Sequence, residues 1–183
     1  MIRTNHYEAA FEAYLRKLGV GYVPVDEAKR SMLGDTDVKS LDFIVVDAAK
    51  LVVDVKGRKF PSGSKGVGTW QNWAEAEDID ALTRWAAHFG SGFRGVLAFV
   101  YQIQPLFALP PDTPDLFPFR ADSYLMRAIA VDEYQKHMRR RSASWNTVHL
   151  PTAAFRQLVR PFSDFLNPDN EPQRHRDTEK TSD

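Results

Sequence analysis

The sequence contains no cysteine, which excludes disulfide frameworks and thiolate zinc sites at the outset. No apolar run approaches the about eighteen uninterrupted residues of a membrane-spanning helix, so no membrane partner is expected. Excess charge is also missing: 24 Lys and Arg balance 24 Asp and Glu. A globally basic nucleic-acid-binding surface is thereby excluded, and only local clusters could bind a polyanion. Glycine never stands in the Gly-Lys-Ser/Thr order of a phosphate-binding P-loop. The five histidines show no metal-ligand spacing, and only His6 lies beside another candidate, Glu8. The opening "MIRTNHYEAAFEAYL" is polar and acidic and lacks the apolar core of a secretory signal, so a cytoplasmic location is the expectation.

What is present fits one globular domain. In 183 residues, 43% are hydrophobic and 26% charged, enough for a sizeable core. A single domain is expected over 1–166, followed by a polar, disordered tail over 167–183. From residue 161 onward six acids face three bases, which leaves 21 bases and 18 acids in the rest.

Periodicity gives the elements. Tyr7, Phe11, Tyr14, Leu15 and Leu18 recur at helical spacing before Gly19. A short extended "YVPV" follows, then the β-rich runs "SLDFIVV" and "KLVVDVK", whose short separation predicts a hairpin. "GRKFPSGSKGVG" reads as a Gly-, Lys- and Ser-rich loop, and 75–89 as an amphipathic helix opened by acids. "GVLAFVYQI" is apolar enough for a central strand. Five prolines exclude regular structure in "QPLFALPPDTPDLFPF". "SYLMRAIAV" predicts a strand and "DEYQKHMRRR" a helix ending on Arg139, Arg140 and Arg141. "TVHL" and "TAAFRQLV" predict a last strand and helix. The fold class is therefore α/β, with a mixed central sheet of about five strands flanked by helices.

One strand is odd. In "LVVDVKGRK", Leu51, Val53 and Val55 share one face, and Val52, Asp54 and Lys56 share the other. A solvated face does not suit Val52, and a plain core does not suit Asp54 or Lys56. "SLDFIVV" repeats the pattern: Leu41, Phe43 and Val45 on one side, Asp42, Ile44 and Val46 on the other. Antiparallel pairing can bring Asp42 and Asp54 together at one end of the sheet, although register is open. Close carboxylates repel unless one protonates or a cation sits between them. Oxygen-only ligation suits a hard ion such as Mg²⁺. The competing readings are an exposed edge-strand pair for Asp54 and Lys56, a turn residue for Asp42 and a solvated helix residue for Glu8.

The constellation Asp42 with Asp54-Val55-Lys56, twelve residues from acid to acid, resembles the PD-(D/E)XK nuclease superfamily. The match covers about 6–100, in the order helix, hairpin, helix, strand. Glu8, eleven residues before Gly19, is similar in placement to the helix glutamate of archaeal Holliday-junction-resolvase-like members, with Glu12 as the competing assignment. Leu41 stands where the family pattern has proline. The resemblance implies a restriction-endonuclease-like core and a Mg²⁺-dependent nuclease, with Mn²⁺ able to substitute. It further implies 5′-phosphate and 3′-hydroxyl products and a metal held by Asp42, Asp54, the Val55 carbonyl and Glu8. Lys56 would orient the attacking water. DNA is the expected partner, with a homodimer compatible. Arg58, Lys59 and Lys65 are candidate phosphate contacts in the loop after Lys56. Gln71 in "TWQNW" is a further candidate, with Trp70 or Trp73 either stacking on a base or joining the core. The alternatives are a non-catalytic nucleic-acid-binding module that kept the fold, or an interaction domain presenting the proline-rich 105–118.

Overall fold

The computed structural model describes residues 5–25, 31–33, 36–62, 68–141 and 146–167, with only the backbone described for 31–33 and 36–37. Lys65 and the expected disordered tail from 168 on lie outside the described residues.

The chain runs α1 (His6–Lys17), β1 (Tyr22–Pro24), β2 (Ser31–Leu33), β3 (Thr36–Val38), β4 (Phe43–Val45), β5 (Leu51–Phe60) and β6 (Ala74–Glu75). It continues α2 (Ala76–Phe89), β7 (Arg94–Ile103), β8 (Leu116–Phe119), β9 (Asp122–Ala130), α3 (Val131–His137), β10 (Arg139–Arg140) and β11 (Thr147–His149). It closes with α4 (Thr152–Leu158), β12 (Arg160–Pro161) and a 3₁₀ turn over Phe162–Leu166.

The main sheet is mixed and has seven strands, two more than expected, in the order β1-β4-β5-β7-β9-β12, with β8 also on β9. The long strands β5 and β7 run parallel at its centre, joined by the α2 crossover that parallel pairing requires. The other pairings of this sheet are antiparallel. β6, β10 and β11 form a small second sheet.

The two faces of β5 divide the core. Phe11 and Leu15 of α1 pack with Phe43, Val45, Val53, Val55, Val96 and Val100. Ile79 and Leu82 of α2 pack with Val52, Leu97, Phe99 and Tyr101 on the opposite face. α1 approaches very closely at Gly57, where a Cβ would collide with the Tyr7 ring. α1 is capped by Asn5, whose side chain accepts from the Tyr7 N–H, and it stops at Gly19 with φ +68°.

Three expectations are corrected. The proline-rich segment contains regular structure after all, because Leu116–Phe119 pairs with β9 as an outer strand that tolerates Pro118. α3 ends at His137, and Arg139 and Arg140 pair with β11, so the arginines do not close a helix. Leu41 packs beside Val52 rather than with Phe43, because Asp42 lies at a bend before β4 that breaks the alternation.

Candidate active site

The β4–β5 hairpin fixes the site. Phe43 pairs with Val53, and the Asp42 N–H donates to the Val53 carbonyl at 3.0 Å, which sets Asp42 level with Asp54. β4 ends there, and the Asp42 side chain takes over from its backbone: Oδ2 accepts the Val55 N–H at 2.5 Å. In a strand, a residue's N–H and C=O leave on the same side, so the Val55 carbonyl points along the edge that Asp42 occupies. Asp42 is 1% exposed and Asp54 5%. An exposed edge-strand pair is therefore excluded: β5 lies between β4 and β7, and its acid is buried.

Asp54 and Lys56 project to the α2 face and end in an ion-pair chain. Lys56 Nζ lies 2.6 Å from Asp54 Oδ2 and 2.6 Å from Asp78 Oδ2. Asp78 Oδ1 lies 2.6 Å from Lys39 Nζ, which also reaches Glu75 at 2.6 Å. Asp78 is placed by helix capping, since its carboxylate accepts the Glu75 N–H at 2.9 Å in a capping box at the start of α2. Lys39 is held over α2 through its carbonyl, which accepts from Trp85 Nε1 at 3.0 Å.

The two acids flanking Lys56 differ. Burial pushes the Asp54 carboxyl up to about 6, against the attraction of Lys56 and with the added repulsion of Asp78. Burial also pushes Asp78 upward, but Lys56 and Lys39 together hold it below the ordinary carboxylate range. Burial opposes the charge on Lys56, yet Asp54 and Asp78 outweigh it and keep the amine raised above its usual value. Lys56 is thus a fixed cation rather than a base.

Glu8 is buried and accepts from Asn5 Nδ2 at 2.5 Å. It sits on α1, which covers the Val53 and Val55 face, so the sheet separates this helix from the face of Lys56. Glu12 is engaged elsewhere, by Arg16 at 2.7 Å and the Tyr22 hydroxyl at 2.9 Å. Among the described residues, no three Asp, Glu or His gather closely enough to hold a metal between them. The fit to a hard cation rests on a smaller set, the Asp42 and Asp54 carboxylates with the Val55 carbonyl. Their all-oxygen chemistry suits Mg²⁺, and Asp54 is a buried anion that one lysine only partly compensates.

Arg58 and Lys59 belong to β5 rather than to a loop. Lys59 is exposed, whereas Arg58 is buried with its guanidinium 3.9 Å from the Trp73 ring centroid. Arg58 donates to the carbonyls of Gly57 at 2.8 Å and Trp73 at 2.5 Å. Trp70 stacks on Phe60 at 3.5 Å and joins the core. The Gln71 carbonyl accepts from the Tyr101 hydroxyl at 2.8 Å, and Gln71 lines a cavity of about 490 Å³ with Trp73. Asp78 and Lys39 were not anticipated as site residues. One signal existed: Asp78 falls in the apolar stripe of α2 with Leu82 and Trp85, four and seven residues on.

No protein-family model and no curated protein matches the sequence. Among solved structures, the fold is similar to a Holliday junction resolvase from the archaeal hyperthermophile Archaeoglobus fulgidus, with a TM-score of 0.51 at 12% identity. The similarity covers 88% of this chain and 93% of the resolvase. The chain therefore has a resolvase-like α/β fold, with a mixed sheet flanked by helices. No helix among the described residues is long and apolar enough to cross a membrane.

Proposed function

We propose that the chain is a metal-dependent nuclease that hydrolyses phosphodiester bonds in DNA, leaving a 5′-phosphate and a 3′-hydroxyl. The observation that carries this reading is the buried Asp54–Lys56 pair at the centre of the sheet, level with the Asp42 carboxylate on the neighbouring strand. The likeness to a junction resolvase supports it at the level of fold.

Asp42, Asp54 and the Val55 carbonyl would hold Mg²⁺ or Mn²⁺. Such an ion supplies polarisation of the scissile phosphate and an acidified water. The chain's own contribution is charge placement. Lys56 stays protonated between two acids, so it donates to the attacking water or a phosphate oxygen and offsets charge gathered in the transition state. Asp78 positions Lys56 from the far side and lets the amine keep one partner when Asp54 turns to a cation. Asp54 must ionise to bind a cation, so metal affinity rises with pH through about 6.

One observation favours a second reading. Lys56 and Lys39 already pair with Asp54 and Asp78 without a metal, as a binding module that kept the fold would require. A panel of linear, nicked, flapped and four-way DNA, with structured RNA beside it, separates the two. The nuclease reading expects cleavage of at least one DNA in Mg²⁺ or Mn²⁺, none in EDTA, and a loss of about a hundredfold or more in Asp54→Asn, roughly 2.7 kcal/mol. Binding to several substrates without cleavage of any gives the answer to the binding module.

A further inference from the structure

We infer that the cavity between residues 68–73 and the start of α4 is a pocket for one unpaired nucleotide of the substrate strand, separate from the acids that do the chemistry. This deepens the nuclease reading and rests on it for the identity of the ligand.

The cavity measures about 490 Å³, the size range of small-ligand sites. Among the described residues its wall carries two arginines and no acid: Arg141 and Arg156 line it with His149, Trp73, Gln71 and Thr152. Arg141 and Arg156 are exposed, so their charge is available to a ligand. The Arg141 guanidinium lies 5.3 Å from the Trp73 ring centroid. His149 Nδ1 is buried and has no hydrogen-bond partner among the described residues. Behind Trp73, Arg58 is buried with its charge on backbone carbonyls and an aromatic ring, and its Nε has no hydrogen-bond partner among the described residues. An interior guanidinium without a carboxylate partner among the described residues leaves positive charge next to the cavity that no described acid offsets. Phosphate answers that charge, and a base of any identity would stack on the Trp73 indole in place of the exposed Arg141, while Arg58 keeps its position 3.9 Å from the ring centroid.

Hydrogen bonds hold the framework around the pocket together. Asn72 clamps Leu150 in both directions, at 3.1 Å and 3.0 Å, and its carbonyl accepts from the Tyr134 hydroxyl at 2.8 Å. Placement adds to the case. Arg58 lies on the same face of β5 as Asp54 and Lys56, four residues beyond Asp54 or about 13 Å at 3.3 Å per residue. A strand whose phosphate sits at Asp54 would reach the cavity within a few nucleotides. A cavity of this size admits one splayed nucleotide and no duplex, so the pocket selects substrates with an unpaired or extrudable base.

The test measures binding in EDTA, where cleavage cannot interfere, with a fluorescently labelled twelve-residue oligothymidylate and an abasic strand of equal length. Arg141→Ala and Arg156→Ala remove exposed side chains, and circular dichroism melting verifies their folding. Each is expected to weaken oligothymidylate binding at least about fivefold, roughly 1 kcal/mol. The wild type is expected to bind the abasic strand at least about fivefold more weakly than oligothymidylate, and a Trp73→Leu variant is expected to lose that preference. Equal affinity of both arginine variants and wild type overturns the pocket, and if the wild type still cleaves DNA the nuclease reading stands. Equal binding of the two strands by the wild type reduces the cavity to an anion site and overturns the nucleotide assignment. A wild type that neither binds nor cleaves any nucleic acid overturns both.

Discussion

The two faces of β5 are made by the same ten residues and behave as different materials. Toward α1 the strand shows Val53, Val55 and Gly57, with Tyr7 seated against the bare glycine backbone. Toward α2 it shows Val52, then Asp54, Lys56 and Arg58, each tied to a different neighbour. The first face holds the sheet to its helix by dispersion and apolar burial. The second uses stability to keep an acid, a lysine and an arginine in a fixed row. A strand this deep tolerates such a row only because α2 brings its own acid, Asp78, to the lysine.

Substitutions on the two faces should therefore fail in different ways. The largest effect belongs to the apolar face: Phe11→Ala should cost about 3–5 kcal/mol in urea unfolding, because Phe11 is fully buried against Phe43 and Phe162. A cost under about 1 kcal/mol would mean that α1 is not docked as described.

Next comes the polar face. Asp78→Ala removes a buried partner from both Lys56 and Lys39 and should cost about 3 kcal/mol at neutral pH. Since the native state holds the Asp78 carboxyl below its ordinary value of 3.8, its contribution is present above that value and disappears as pH falls through the lower folded value. The wild-type advantage over Asp78→Ala should accordingly shrink in acid.

Asp54 should show the opposite sign. Its carboxyl is raised from 3.8 to about 6 in the fold, so the native state binds more protons between those values and loses stability as pH rises through the window. Asp54→Asn in metal-free buffer should be more stable than wild type above about pH 7, by up to about 3 kcal/mol, with the difference vanishing below about pH 4. Thermal or urea unfolding at several pH values reads both acids. A large loss in Asp54→Asn at neutral pH would mark Asp54 as a structural partner of Lys56 rather than an under-compensated site acid.

The smallest effect concerns metal. Mg²⁺ or Mn²⁺ should raise the wild-type melting temperature by a few degrees through mass action, more at pH 8 than at pH 5, and Asp54→Asn should abolish the response. Identical melting curves with and without millimolar metal at pH 8 would contradict a cation site.

Much of this comparison was legible in the sequence. The alternation in "LVVDVKGRK" placed Asp54 and Lys56 together on a face that Val52 shows to be buried, and the hairpin and its helices followed from periodicity. Asp78 and Lys39 escaped because their roles are tertiary: a capping carboxylate and a lysine before a strand look the same whether or not a buried amine lies between them. Arg58 was misplaced because the glycine and lysines around it imitate a loop, while β7 pairs with β5 through Phe60 and extends the strand. Pro118 concealed β8, since an outer strand tolerates the missing N–H of a proline. The bend at Asp42 was invisible for the same kind of reason, its carboxylate standing in for a backbone acceptor.

Single-turnover cleavage by Lys56→Ala, measured beside its DNA affinity on the best wild-type substrate, tests the nuclease claim most directly. In the proposed reaction Lys56 is a fixed cation whose charge acts chiefly in the transition state, so that reading expects the rate to fall at least about a hundredfold while affinity stays within about twofold. A variant that cleaves as fast as wild type would contradict the account and place the chemistry away from the charged face of β5.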